Sequence, residues 1–111
     1  MKPLKAAYSC QEDLQAAFEY YRTRNPLAAE QFLRAYLASI KLLVRNPKIC
    51  RQRAHGWRQM AVRGFSSHSI FYKEFPGFWL VGGILCTIRD PDDIQARLLI
   101  REVGETPEEG K

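Results

Sequence analysis

Residues 78–88 read FWLVGGILCTI, a stretch without a single charge. It is too short to cross a bilayer, which takes about 20 consecutive apolar residues, and it reads as a β-strand. Simple alternation puts Phe78, Leu80, Ile84 and Cys86 on one side and Trp79, Val81 and Leu85 on the other. A strand that is apolar on both sides has to be covered on both sides. The rest of the chain must therefore supply two covering layers, or a partner must supply one.

One layer is legible upstream. Ser9-Cys10-Gln11-Glu12 has the form of a capping box, with Ser9 taking a free amide and Glu12 reaching back. The helix it opens carries Leu14, Ala17, Phe18 and Tyr21 at i, i+3, i+4 and i+7. Asn25-Pro26 then ends one helix and starts another, because Asn caps well and Pro at the first position misses no donor. The second helix runs from Pro26 to Arg45, with Phe32, Leu33, Tyr36, Leu37, Ile40, Leu43 and Val44 on one broad face, and Asn46-Pro47 stops it. So short a connection predicts an antiparallel helical hairpin.

Around it, residues 4–9 (LKAAYS) read as a first strand, 57–62 (WRQMAV) and 68–75 (HSIFYKEF) as two more, with Gly64–Ser67 and Pro76-Gly77 as turns. Asp90-Pro91 with acids in the first turn opens a short C-terminal helix, whose small apolar face leaves the second covering layer open between that helix, a second copy and a partner. The expected fold is α+β: an N-terminal strand, then an antiparallel helical hairpin packed on a small twisted antiparallel sheet, in the order β-α-α-β-β-β, and a short helix. A chain of 111 residues fits one domain, 1–111, with residues 102–111 expected as a frayed tail.

With 46% hydrophobic residues the chain has apolar surface enough to fold without metal or disulfide. Cys10, Cys50 and Cys86 are odd in number and form no CxxC pair, so no metal site and no cofactor is expected, and reduced thiols in a cytoplasmic protein are the simplest reading. The N-terminus does not read as a signal peptide, and no membrane partner is expected.

Charge is lopsided. Between Gln31 and Lys73 stand nine cations (Arg34, Lys41, Arg45, Lys48, Arg51, Arg53, Arg58, Arg63 and Lys73) and no acid, so the remainder holds eight cations against all twelve acids, a balance of −4. Such a tract suits nucleic acid or an acidic protein partner, and equally a solvated basic face.

With these residues in place, the segments DLQAAFEYYRTRNPLAAEQFLRAYLASIKLLVRNP, RQMAVRGFSSHSIFYKE and GGILCTIRD together resemble the RelE/ParE superfamily of type II toxins over most of residues 8–90, and the ParE branch with its plasmid-stabilisation relatives more than RelE. The resemblance implies a helical hairpin on a twisted sheet and a cognate acidic antitoxin that wraps hydrophobic grooves, for which Trp79, Val81 and Leu85 are candidates. It implies growth inhibition through DNA gyrase, trapped on cleaved DNA without covalent chemistry by the toxin. Arg51, Arg53, Arg58 and Arg63 are then the candidate target contacts, with nucleic acid as part of the complex. ParE-like chains often carry His-Gly a few residues before Arg-Asp; here Cys86 and Thr87 stand there, while Arg89 and Asp90 remain.

Two other readings stay open. A RelE-like, ribosome-dependent mRNA endonuclease needs a base, phosphate-holding cations and an acid, for which Arg58, Arg63, His68 (or His55), Tyr72 and Arg89 are the candidates. The C-terminus, VGETPEEGK, lacks the functional aromatic or basic ending of RelE-type chains. A non-toxic co-repressor that only binds its antitoxin needs no site beyond the grooves. Whether the chain is an enzyme is left undecided by the sequence.

Overall fold

The first strand expected at residues 4–9 is three residues long, and it adds to the sheet in an unexpected direction. The computed structural model describes residues 2–104, in the order β1 (Leu4–Ala6), α1 (Cys10–Arg22), α2 (Pro26–Arg45), a 3-10 turn (Ala54–Gly56), β2 (Trp57–Val62), β3 (Phe65–Phe75), β4 (Phe78–Cys86) and α3 (Pro91–Gly104). The sheet order is β1-β4-β3-β2. β2, β3 and β4 form the expected antiparallel meander, while β1 lies parallel to β4, Leu4 opposite Trp79 and Ala6 opposite Val81. The α+β architecture expected from sequence is the one found; the sheet is mixed rather than wholly antiparallel.

The caps differ in kind. Asn25 caps α2 as expected, its Oδ1 accepting from the Leu27 amide at 3.0 Å. Ser9 precedes α1 but makes no side-chain cap, because its own backbone is already helical (φ −74°, ψ −9°) and the hydroxyl is not swung over the first amides. The capping box read from Ser9 and Glu12 is therefore corrected. The turn expected over Gly64–Ser67 is also tighter: β3 begins at Phe65, opposite Val62, across a register shift after Ala61. Gly64 (φ 84°) and Gly77 (φ 88°) make the two hairpin turns, in a region that side-chain-bearing residues avoid.

β4 departs most from simple alternation. Phe71 lies opposite Gly83 and Tyr72 opposite Val81, so Gly82 is an extra residue and the phase resets there. Phe78, Leu80 and Leu85 consequently share one side, while Trp79, Val81, Ile84 and Cys86 share the other; the expected grouping of Leu85 with Trp79 and Val81 is corrected. A Cβ on Gly82 would fall 2.5 Å from the Trp57 ring, and this close approach is why glycine stands there.

Both sides of β4 are covered by the chain itself. The helical hairpin lies over His68, Ile70 and Tyr72, with Phe32 and Leu43 of α2 wholly buried. α3 closes the other side with Ile94 and Leu98. It runs longer than expected, to Gly104, and Glu102, placed in the expected frayed tail, bonds Lys73 at 3.0 Å. The rest of that stretch, from residue 105, lies outside the described residues. Leu37 and Val44, read as part of the buried face of α2, are about half exposed.

One ion pair ties the layers together. Asp13 of α1 accepts from Arg101 of α3 in a two-pronged contact, the second prong Nη2 to Oδ1 at 3.0 Å. Asp13 Oδ2 also accepts the Ile84 amide at 3.1 Å, and Arg101 donates to the Gly82 carbonyl at 3.3 Å. β1 stops pairing at Val81; the two side chains satisfy the edge of β4 just beyond it, where bare ladder groups would be costly.

Candidate functional site

Most cations of the acid-free tract are exposed. Arg34, Lys41 and Arg45 lie on exposed positions of α2, Lys48, Arg51 and Arg53 on the loop that follows, and Arg63 in the β2–β3 turn. None of these seven makes an ion pair with a carboxylate among the described residues. Two cations of the tract are committed elsewhere. Arg58 Nη1 donates to the Cys50 carbonyl at 2.6 Å and its guanidinium lies 5.6 Å from the Trp79 ring centre. Lys73 is held by Glu102. Arg58 thus pins the basic loop to the sheet, while Arg51 and Arg53 project from that loop.

Of the polar residues proposed for catalysis, Arg58 and Tyr72 are partners across β2 and β3, and the others lie apart from them. His68 and Tyr72 do share one side of β3, as alternation requires, but four residues of strand separate them by about 13 Å. His68 is 5% exposed, its Nδ1 2.9 Å from the Tyr21 hydroxyl, within a group formed by Tyr20, Tyr21, Phe32 and Phe65. Tyr72 is fully buried and 5.8 Å from Trp79, ring centre to ring centre. Arg63 is at the β2–β3 turn, and Arg89 pairs with Asp93 at 3.2 Å on the surface before α3. His55 sits in the exposed turn before β2 with φ 58°. His68 and Tyr72 are buried, and Arg63 and Arg89 lie at other places in the fold.

Burial lowers the His68 pKa from its ordinary value, since the imidazolium would lose its hydration. The unfolded chain then binds more protons than the folded one just below pH 6.5, so this residue's contribution to stability is complete above that value and is lost as pH falls. Urea midpoints are expected to drop between pH 7.5 and 5.5, and to drop less in His68→Gln. Equal drops in both chains would remove the assignment.

Trp79, Val81 and Leu85, the antitoxin candidates, are each at most 5% exposed under the chain's own helices. An open surface does exist elsewhere. Ala35, Ala38, Ser39 and Leu42 of α2 and Met60, Ala61 and Arg63 line a groove of about 460 Å³ beside β2. β2 is an edge strand: Gln52 bridges Arg58 near its start, and β3 takes its other side. Sequence reading missed this groove because its helix residues are mostly small; the available signal was Ala35, Ala38 and Leu42 at i, i+3 and i+7, a second apolar stripe next to the main one.

A family model described as "ParE toxin of type II toxin-antitoxin system, parDE" matches residues 7–95. The chain belongs to the ParE toxin family. A solved structure of the "Chromosomal ParDE TA system from P. aeruginosa" shares the fold, with a TM-score of 0.67 over 78% of this chain and 96% of that chain, at 18% sequence identity. No curated protein sequence matches. The ParE match begins just after β1 and ends inside α3, before Leu98 and Arg101. It thus takes in the hairpin, the basic loop and the meander, and stops short of the residue that locks α3 in place. No helix among the described residues is long and apolar enough to cross a membrane.

Proposed function

We propose that this ParE-family chain inhibits DNA gyrase by binding it, and that a cognate acidic antitoxin neutralises it. The observation that carries the reading is the set of seven exposed cations, on α2, the loop after it and the β2–β3 turn, that pair with no carboxylate among the described residues. Such a surface steers a basic protein onto an acidic protein face or the phosphates of enzyme-bound DNA. Arg51 and Arg53 are the leading contacts, with Arg63 next; Arg58 acts by holding their loop.

The groove beside β2 is the place for an antitoxin segment. An extended peptide can add to a strand edge through its backbone, and pockets beside it choose the side chains. Small residues at Ala35 and Ala38 allow close approach, and Arg34, Lys41 and Arg63 around it favour an acidic occupant. A segment that is disordered alone and orders on this surface fits the expected kind of partner.

Purified protein is expected to raise cleaved DNA and suppress supercoiling in a gyrase reaction. The variant R51E/R53E should weaken this at least about tenfold, as reversal of two steering charges implies, and added salt should weaken the wild type too. Active gyrase left untouched by the wild type would overturn the reading. Cuts in mRNA on ribosomes, surviving in Tyr72→Phe, would point to a nuclease with a different centre.

A further inference from the structure

Tyr72 poses a problem that neither gyrase nor antitoxin answers. Its side chain is fully buried, and its hydroxyl has no hydrogen-bond partner among the described residues. A buried hydroxyl without a partner is uncommon and costs about 1–3 kcal/mol. The group lies against Cys50 and Arg58: burial, then a weak contact of the hydroxyl with the Cys50 thiol, pushes the phenol pKa up to about 12, while the Cys50 backbone and the Arg58 charge oppose this. Cys50 itself is half-buried at the base of the basic loop, with its carbonyl held by Arg58.

The other two cysteines differ. Cys10 is buried and its Sγ donates to the Val81 carbonyl at 3.2 Å. Cys86 is half-buried at the far end of β4, opposite His68, whose ring already bonds Tyr21. Of the three, Cys50 alone combines partial exposure, the Arg58 cation and a buried donor with no acceptor in good geometry. Oxidation-sensitive thiols occur in electropositive, partly exposed places of this kind.

We propose that Cys50 is a site of reversible oxidation by hydrogen peroxide, the new sulfenic oxygen accepting the Tyr72 hydroxyl and facing Arg58. In the step, the thiolate sulfur attacks one peroxide oxygen, an S–O bond forms and the O–O bond breaks. Sulfur gives up two electrons to the peroxide, and the departing hydroxide takes the proton released by the thiol and leaves as water. A thiol is a weak acceptor and a sulfenic oxygen a good one, so oxidation strengthens a contact that the reduced thiol makes only weakly. The product sits where Arg58 fastens the loop that bears Arg51 and Arg53.

The full-length chain, reduced and then exposed to dilute hydrogen peroxide, would be trapped with a dimedone probe and read cysteine by cysteine by mass spectrometry. Cys50 is expected to be trapped about tenfold faster than Cys10 or Cys86, in line with selection by charge and access. Tyr72→Phe should lower the sulfenic yield at Cys50 several-fold while iodoacetamide alkylation of Cys50, an index of access, stays unchanged. Equal trapping at Cys50 and Cys86 would overturn the proposal, as would an unchanged yield in Tyr72→Phe. The gyrase assay is separate, so failure of either result leaves the other standing.

Discussion

Replacing Asp13 with leucine is expected to lower the free energy of unfolding by about 3–5 kcal/mol, because it breaks one side of a buried ion pair. Asp13 and Arg101 have side chains 10% and 11% exposed, 88 positions apart in the chain. Their pairing replaces hydration for both, and removing the carboxylate takes a two-pronged acceptor from a guanidinium that is largely out of water. The double variant Asp13→Leu/Arg101→Met is expected to regain most of the loss, since an apolar pair of similar volume is tolerated where a lone charge is not. It should stay about 1–3 kcal/mol short of the wild type because the Ile84 amide then lacks its acceptor. Chemical unfolding of the three chains, compared at a common slope, measures each value. A single substitution that costs under 1 kcal/mol would show that water reaches the pair.

A second large loss is expected from Phe32→Ala, about 3–5 kcal/mol. Phe32 is wholly buried, stacks on Tyr21 at 4.9 Å and meets Phe65 and His68 edge-on at 5.5 and 5.8 Å. It is the point where α2, α1 and the sheet touch one another, so the void cannot be closed by movement of one neighbour. Phe32→Leu should cost much less, since most of the volume is kept. Thermal or urea unfolding gives both values, and near-equal losses would mean that ring geometry rather than volume governs the site.

Much of this fold could be read from the chain because its local signals agree with its packing. Asn25-Pro26 and Asn46-Pro47 set the limits of α2, and the apolar stripes of both helices point at the sheet. Seven of the nine cations of the acid-free tract are exposed. α3 shows the opposite case. Its buried side is Ile94, Leu98 and Arg101, whereas Leu99, Ile100 and Val103 are 61%, 67% and 80% exposed. Hydrophobicity alone therefore does not mark the buried face, because an arginine takes one of its positions beside Ile94 and Leu98. The ion partner of that arginine lies in α1, and no local pattern connects the two. The phase of β4 was hidden for a different reason: Gly82 adds a residue without adding a side chain, so alternation counted across it fails.

Placing the key to the outer layer at residue 101 also fixes the order in which the protein can be completed. While the ribosome is still making α3, one side of the sheet bears Trp57, Phe71 and Leu85 with nothing laid over them, and the edge of β4 beyond Val81 has no partner. Such nascent surfaces are the ones that stick to neighbours or recruit chaperones. That side is closed only once α3, with Ile94, Leu98 and Arg101, has left the exit tunnel and packed back, so an interrupted message leaves it bare.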